Sequence, residues 1–165
     1  MKKVLIAIMM LLPMASFAQK FGHVDINNIT QTLPELSKVN GELEALSKQI
    51  QNELQAMEEE IKRKADEYEK AKPTMNATQQ QETEAGLNDL YQKYQQAVQD
   101  HQAEFNKKQQ EMMAPIQEKI YKAIENVGKA GGYVYILQVG TLPYISDTLS
   151  KDVTSEVKAE LNKMK

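Results

Sequence analysis

The fold is decided by residues 43–68, which read LEALSKQIQNELQAMEEEIKRKADEY. Apolar residues recur here at intervals of 3, 4, 4, 3, 4, 4 and 3, and they are Leu43, Leu46, Ile50, Leu54, Met57, Ile61, Ala65 and Tyr68. The 3-4-4 spacing repeats every eleven residues, about 3.67 residues per turn, which predicts a nearly straight helix. One narrow apolar stripe fits one partner helix, so the pattern predicts a two-stranded helical arm.

A second apolar stripe supplies the partner helix. Its residues are Leu87, Leu90, Tyr94, Val98, His101 and Phe105, continued by Met112, Ile116, Ile120, Ile124 and Val127. Pro73 is expected to stop the first helix, because the residue before a proline disfavours α geometry. The two stripes therefore predict an antiparallel hairpin, a coiled-coil arm whose tip lies near residues 72–77.

Individual residues predict where the two helices begin and bend. Pro34 suits the first turn of a helix, and the roughly 38 residues from Pro34 to Ala71 would extend about 57 Å. Either Asn76 or Thr78 can cap the second helix, and residues 78–81 (TQQQ) read as a capping box. Pro115 lies inside the second stripe and predicts a kink or the start of a new helix; we interpret it as a bend where the arm meets the base.

Segments with strand character lie on both sides of the hairpin. Residues 133–139 (YVYILQV) are rich in β-branched and aromatic side chains. Their near-continuous apolarity predicts a strand that is covered on both faces. Residues 20–25 predict another short strand, and Gly140-Thr141 predicts a turn into a further strand over Leu142–Ser146.

Two shorter segments complete the pattern. Residues 152–163 predict a closing amphipathic helix, with Thr154 as a candidate cap and with Val157 and Leu161 facing inward. Asn28-Ile29-Thr30 matches a glycosylation acceptor pattern. Because Asn and Thr are common at turns and caps, we interpret this tripeptide as a turn or a cap.

The resulting fold class is mainly α with a small β base. The predicted domains are a signal peptide over residues 1–18, a discontinuous oligomerisation base over 19–33 and 116–165, and the helical arm over 34–115. Three short strands cannot cover a doubly buried strand within one chain, so pairing between identical chains would cover it and remove free edges. The candidate residues for this oligomer base are Phe21, Val24, Tyr133, Tyr135, Ile136, Leu137 and Val139.

The first eighteen residues have the pattern of a secretory signal peptide. Met1-Lys2-Lys3 is positively charged, Val4–Leu12 is apolar, and small residues precede a cleavage site after Ala18. The apolar run is far shorter than the ~20 residues that span a bilayer. We therefore expect an exported, periplasmic chain without stable membrane insertion.

Composition excludes several classes of function. Without Lys2 and Lys3 the chain has 18 basic and 23 acidic residues, a formal charge of −5 with His neutral. A nucleic-acid partner is not expected at this charge. The chain contains no cysteine, so a disulfide framework is excluded and stability must come from helix packing or from assembly.

An enzyme is not expected either. His23 and His101 are the only histidines, and no HExxH, paired-Cys, GxSxG or phosphate-loop spacing occurs. We interpret His101 as a half-buried residue of the arm, because a catalytic base needs a positioned partner. We predict no catalytic residue, no metal ligand and no cofactor.

Three segments of the chain resemble the Skp/OmpH-like periplasmic chaperones. The resemblance rests on Phe21-Gly22-His23-Val24-Asp25 followed by Leu33-Pro34-Glu35, on Ile116–Ile124 followed by Gly131-Gly132-Tyr133, and on Asp152–Val157. It implies a homotrimer with a shared β base and three helical arms around a cavity. It also implies that this cavity shields unfolded outer-membrane proteins after export, without ATP.

Two functions from different classes remain open. The first is a holdase chaperone, in which weak, multivalent contacts on mobile arms shield unfolded chains. Met75 and Tyr91 lie off or beyond the periodic stripe, and they are the candidate client contacts because thioethers and aromatic rings repack easily. The second is a structural coiled-coil spacer or adaptor of the cell envelope, which would hold one folded partner.

Overall fold

The structure is a computed structural model, and it describes residues 19–164. The predicted signal peptide, residues 1–18, lies outside the described residues. The elements follow in the order β1 (Lys20–Val24), α1 (Ile26–Thr32), α2 (Pro34–Ala71), a 3₁₀ turn (Lys72–Thr74), α3 (Ala77–Gly131), β2 (Tyr133–Gln138), β3 (Ser150–Asp152) and α4 (Thr154–Lys163). Long helices beside a small sheet confirm the predicted fold class.

The described residues divide into two compact units. One, here called the strand-bearing unit, consists of the residues up to Ile29 and those from Ile120 onward. The other, Thr30–Lys119, is called the hairpin unit. It contains α2, the 3₁₀ turn and most of α3.

The first long helix begins and ends where proline chemistry predicts. α2 begins at Pro34, whose missing N–H costs nothing in the first turn, and Glu35 follows it there. α2 ends at Ala71, and the 3₁₀ turn that contains Pro73 follows directly. The predicted break at the tip of the hairpin is therefore confirmed.

The apolar stripes lie on the seam between the helices of the hairpin. All eight stripe positions of α2 are buried or half-buried. On α3 the stripe from Leu87 to Phe105 is half-buried at every position except Val98, which is 39% exposed. One continuous face of each helix is thus covered by the other, as a two-stranded seam requires.

Four side-chain contacts across the seam define the register of the hairpin. They join Tyr68 to Glu84, Glu58 to Tyr94, Glu53 to His101, and Glu35 to Lys119. The residue numbers of the partners sum to 152 in the first two pairs and to 154 in the other two. The antiparallel register therefore drifts by only two residues along the hairpin.

The cap of α3 is formed by Asn76 and Gln79. The backbone N–H of Gln79 donates to Asn76 Oδ1 over 2.9 Å, and the backbone N–H of Asn76 donates to Gln79 Oε1 over 3.0 Å. This reciprocal pair is a capping box that begins at Asn76. The capping box predicted over residues 78–81 is wrong by two positions, because α3 already begins at Ala77.

α3 continues through Pro115 as one helix of 55 residues. A new helix starting at Pro115 is therefore not observed. Proline removes the N–H that would bond the carbonyl of Glu111. Both residues are exposed, so water can hydrogen-bond that carbonyl and the interruption is tolerated.

The helix α3 ends at Gly131, and Gly132 adopts the positive φ of 67° that favours glycine after a helix.

The sheet is parallel and has the strand order β2-β1-β3. The predicted strands at 20–25 and 133–139 correspond to β1 and β2. The predicted strand over Leu142–Ser146 is wrong: these residues are irregular, and the third strand is β3. β3 pairs with β1 from Phe21 opposite Ser150 to His23 opposite Asp152. The intervening loop lets the chain return in the parallel direction, which a tight hairpin cannot do.

A small apolar core stabilises the strand-bearing unit. Its most deeply buried side chains, at most 1% exposed, are Val24, Ile29, Ile120, Ala123, Val153 and Val157. Leu161 joins them at 3% exposure, so the predicted inward face of α4 is confirmed.

Ile29 lies in α1, whose start is capped by Asp25 Oδ1 accepting the N–H of Asn28 over 2.9 Å. The interpretation of residues 28–30 as a turn is therefore wrong.

Thr154 connects α4 to β1 rather than capping its own helix. Its hydroxyl oxygen accepts the backbone N–H of Asp25 over 3.0 Å. The backbone N–H of Thr154 donates to Asp152 Oδ1 over 2.8 Å. Hydrogen bonding from the Thr154 hydroxyl, and then from this N–H, holds the pKa of Asp152 below its usual value. The cap predicted at Thr154 is therefore supplied by Asp152.

Candidate functional site

Six exposed large apolar side chains lie on β2 and in the segment that follows it, in the strand-bearing unit; we call this set the base surface. Its members are Val134, Tyr135, Val139, Leu142, Tyr144 and Leu149. Tyr144 and Leu149 are 76% and 78% exposed. β2 pairs with β1 on one edge, and no other strand of residues 19–164 pairs with its second edge. Apolar surface beside an open strand edge is typical of a site that another chain covers.

The candidate residues of the oligomer base fall into three groups. Tyr135 and Val139 are exposed and belong to the base surface. Phe21, Tyr133, Ile136 and Leu137 are half-buried. Val24 is 1% exposed, so it supports the chain's own core and has no free surface for a partner. Within one chain β2 is therefore not covered on both faces.

Phe21 and Tyr135 form the one aromatic stack among the described residues. Their ring centroids are 6.3 Å apart and their planes differ by 8°. The two residues are opposite each other in the pairing of β1 with β2. Phe21 thus holds the Tyr135 ring in place while that ring remains 62% exposed.

Sequence reasoning missed the contribution of Leu142, Tyr144 and Leu149. A strand over Leu142–Ser146 would have placed alternate side chains inside, whereas the observed loop leaves these three exposed. A usable indication was their density: three large apolar side chains within eight residues of a loop that also contains Gly140 and Pro143. Connecting segments almost always run over the protein surface, so large apolar side chains in such a loop are candidates for exposure.

A cavity of about 490 Å³ lies at the tip of the hairpin. Its apolar lining comes from Tyr68, Ala71, Met75, Leu87 and Leu90. Gly86 also lines it, and a Cβ at this position would meet nothing within 4 Å. Met75, predicted as a client contact, therefore lies half-buried in this cavity, while Tyr91 projects from α3 and is 50% exposed.

Three polar side chains contact one another beside the tip cavity: Tyr68, Glu84 and Lys72. The hydroxyl of Tyr68 donates to Glu84 across the seam, and Lys72 Nζ lies 5.1 Å from the centre of the Tyr68 ring. The hydrogen bond to the Glu84 carboxylate raises the pKa of Tyr68, and the nearby ammonium group opposes that shift. These contacts keep the two helices together next to the cavity.

Neither histidine lies in a catalytic arrangement. His23 Nδ1 is 2.9 Å from Ser150 Oγ, and this contact joins β1 to β3. The nearby Asp152 accepts hydrogen bonds from Thr154. His101 faces two carboxylates on the hairpin. Residues 19–164 contain no group of three His, Cys, Asp or Glu that could hold a metal ion.

The sequence profile of the family named Outer membrane protein (OmpH-like) matches residues 20–161. This match covers both units described above. The chain belongs to the OmpH-like family. The family resemblance derived from the segments around β1, the end of α3 and the start of α4 is thereby confirmed.

Two relatives of this OmpH-like chain carry the name Chaperone protein Skp. The one from Yersinia enterocolitica is 28% identical, and the one from Pectobacterium atrosepticum is 26% identical. Each alignment spans 140 residues, 85% of this chain and 84% of the relative. The relatives are named for chaperone activity, which acts by binding and not by catalysis, in agreement with the expectation that this protein is not an enzyme.

A solved structure shares the OmpH-like fold. It is the crystal structure of an OmpH-like protein from Caulobacter crescentus that is assigned as an outer membrane chaperone. It superposes with a TM-score of 0.74 at 16% sequence identity and covers 89% of this chain and 86% of its own. At this identity the likeness establishes the fold. Within residues 19–164, none of the helices has the length and apolar character that crossing a membrane requires.

Proposed function

We propose that this OmpH-like protein is an ATP-independent periplasmic holdase that shields unfolded outer-membrane proteins. The proposal is supported by family membership and by two relatives named as Skp chaperones. The observation that carries its mechanism is the base surface, six exposed large apolar side chains beside an open strand edge. A single chain with this surface is incomplete, and assembly would place several helical hairpins around one client.

The assembly that we propose is a homotrimer. Identical chains that meet through the base surface would cover Tyr135, Tyr144 and Leu149 and would pair or shield the open edge of β2. Three hairpins would then form the wall of a cavity, and weak contacts on each would add through avidity. Light scattering on the mature protein tests this stoichiometry: a mass of three chains supports the trimer, and a stable monomer contradicts the shared base.

Holdase activity can be tested by the aggregation of a client. An unfolded outer-membrane β-barrel protein is diluted out of urea, with and without this protein, and light scattering is followed in the absence of ATP. Suppression of scattering is expected at a stoichiometry of one assembly per client. If scattering is unchanged at several-fold excess of the assembly, the holdase proposal is wrong.

The client contacts that we propose are Met75 and Tyr91. Met75 lines the tip cavity, and Tyr91 projects from the same hairpin. The variants Met75→Ser and Tyr91→Ser should suppress aggregation less effectively than the parent protein. Tyr121→Ser is the matched control, since Tyr121 is also an exposed tyrosine of α3, at 59% against 50% for Tyr91, and lies in the strand-bearing unit. An equal loss in all three variants would contradict a client site on the hairpin.

A spacer of the cell envelope is the second candidate, and the steady register of the hairpin favours it. Four cross-seam contacts with a drift of two residues suit a rod of fixed length. Crosslinking in cells followed by pull-down separates the two functions. Many unfolded clients support the chaperone, whereas one stoichiometric folded partner supports the spacer.

We also propose that the protein reaches the periplasm by removal of residues 1–18. The support is the charged, apolar and small-residue order of this segment. Mass spectrometry of the protein from a periplasmic extract should find Gln19 as the first residue. An intact Met1 or Lys2 at the amino terminus of the periplasmic protein would contradict this cleavage.

A further inference from the structure

A glycine inside α3 leaves the tip cavity open. Gly86 lines this cavity of about 490 Å³. A Cβ at this position would meet nothing within 4 Å, and its backbone φ is not positive. Because glycine disfavours helix relative to alanine, Gly86 weakens α3 without any packing contact in the chain that requires it. A larger side chain at this position would fill part of the cavity.

The apolar wall of the cavity suits one large apolar side chain. Tyr68, Met75, Leu87 and Leu90 contribute a ring, a thioether and two branched aliphatic groups. Tyr68 is buried and the other three are half-buried, so each retains contacts within the hairpin while it lines the cavity. The volume lies within the range of about 300–1,000 Å³ that is typical of ligand sites.

The charged side chains that line the cavity leave one cation unpaired. Its two lining carboxylates are Glu67 and Asp89. Glu67 accepts a hydrogen bond from Arg63 over 2.8 Å, and Asp89 pairs with Lys93 at 2.7 Å. The third charged lining residue, Lys64, is half-buried and forms no ion pair with another described residue. The cavity therefore combines an apolar wall with one positive charge that a ligand can meet.

We propose that the tip cavity binds one large apolar side chain of an unfolded client, at a position where the next client residue is acidic. The apolar side chain occupies the space beside Gly86, and the acidic side chain pairs with Lys64 Nζ. Large apolar side chains are mostly buried in folded proteins, so such a site selects unfolded segments. This inference rests on the proposed holdase function and adds to it a preference for client sequence.

The two parts of the site contribute differently to binding. Burial of the apolar side chain supplies most of the affinity, because it removes apolar surface from water. The pair with Lys64 supplies the preference, since a partly exposed ion pair changes affinity by only about two- to five-fold. Weak binding at each tip would add up over the several hairpins of an assembly.

The fluorescence of a short peptide tests this site directly, because the protein contains no tryptophan. The probe is a blocked hexapeptide of glycine and serine that contains one tryptophan followed by one glutamate. Its emission should shift to shorter wavelength as the mature, assembled protein is added. A matched peptide with lysine in place of the glutamate should bind about two- to five-fold more weakly. No shift in emission, or equal affinity for both peptides, would overturn the proposal.

The variant Gly86→Leu tests the cavity itself. It should weaken binding of the glutamate peptide about ten-fold or more, as blocking a central apolar contact does, while thermal stability rises because leucine favours helix. Gly41→Leu is the matched control: Gly41 lies inside α2, a Cβ there meets nothing within 4 Å, and it does not line the tip cavity. This control should bind the peptide as the parent does. Unchanged binding in Gly86→Leu would overturn the proposal.

The variant Lys64→Gln tests the charge and leaves the apolar wall intact. It should lose the preference for the glutamate peptide over the lysine peptide. Lys70→Gln is its control, because Lys70 is exposed near the end of the same helix and does not line the cavity. A preference that survives in Lys64→Gln, or an equal loss in both variants, would overturn the proposal whether or not Gly86→Leu folds.

The client aggregation assay separates failure of this site from failure of the proposed function. If the parent protein suppresses aggregation but does not distinguish the two peptides, the holdase proposal stands and the tip site is wrong. If it distinguishes the peptides as expected but does not suppress aggregation, the tip site is supported and the holdase proposal is wrong.

Discussion

The hydroxyl of Tyr94 on α3 donates a hydrogen bond of 2.5 Å to Glu58 Oε1 on α2. The same kind of bond, from a tyrosine to a glutamate of the facing helix, joins Tyr68 to Glu84 nearer the tip. Apolar stripes alone fit several registers that differ by one repeat of the pattern, whereas each of these bonds fits one. The two tyrosines therefore help to select the register of the hairpin.

The Tyr94 contact predicts how the hairpin responds to alkali. The hydrogen bond to the Glu58 carboxylate, together with partial burial, raises the pKa of Tyr94. Its contribution to stability is thus present below the usual tyrosine value of about 10 and is lost as the pH rises through the higher folded-state pKa. Above pH 10, the melting temperature measured by circular dichroism should fall more steeply with rising pH for the parent protein than for Tyr94→Phe. Equal slopes would show that the bond does not contribute.

The Glu35 contact predicts a response to acid. Lys119 Nζ donates to Glu35 Oε1 over 2.6 Å, and this bond lowers the pKa of Glu35. Its contribution is present above the usual glutamate pKa near 4.5 and is lost as the pH falls through the lower folded-state value. Because the Glu35 side chain is 41% exposed, the effect is at most about 1 kcal/mol.

The variant Lys119→Gln should flatten this dependence of thermal stability between about pH 5 and 3. Lys107→Gln is the matched control, because Lys107 pairs with Glu111 at 3.8 Å on an exposed face of the same helix. If both variants flatten the acid response equally, the Glu35–Lys119 contact contributes no more to stability than the exposed Lys107–Glu111 pair.

The position of the Tyr133 ring limits which glycines of the strand-bearing unit can be substituted by alanine. A Cβ at Gly131 would overlap the Tyr133 ring, and one at Gly22 would come within 3.2 Å of it. Gly131→Ala should therefore lower the free energy of unfolding by about 1–3 kcal/mol through overpacking. Gly86→Ala on the same helix meets nothing within 4 Å and should raise it by up to ~1 kcal/mol, because alanine favours helix. Denaturant titration measures both, and a stable Gly131→Ala variant would contradict the proposed packing.

The base surface predicts which side chains hold the proposed assembly together. Truncation of well-buried interface side chains commonly weakens association roughly ten-fold or more. Leu149→Ser and Tyr144→Ser should therefore shift the mass toward a single chain at low protein concentration, as measured by light scattering. Tyr121→Ser serves as control for loss of an exposed aromatic side chain. If the mass of the assembly is the same in all variants, the base surface is not its interface.

The hairpin was predictable from sequence because its determinants are local. Leu43 to Tyr68 repeat with the period of a helix, and Pro34 and Pro73 mark the ends of the first helix within a few residues. Pairing the two stripes around one tip limits the register to a few choices, among which the Tyr68–Glu84 and Tyr94–Glu58 bonds select. Asn76, one of the two predicted caps, is the observed cap, and only the capping box was misplaced by two positions. Asn76 and Thr78 offer similar side-chain acceptors, and the choice between them depends on where the 3₁₀ turn ends.

The strand-bearing unit was predictable only in part because its contacts are distant along the chain. β3 pairs with β1 from Phe21 opposite Ser150, and nothing in the short segment 150–152 distinguishes a strand from a loop. The free edge of β2 depends on that pairing, so apolar content could indicate exposed side chains in the loop after β2 but not that β2 has an open edge. The length, the break and the seam of the hairpin were determined by the sequence itself, through the periodicity of side chains three and four residues apart. The tertiary structure alone decided the parallel order β2-β1-β3, the burial of Val24 and the contact of Glu53 with His101, because each brings together residues from distant parts of the chain.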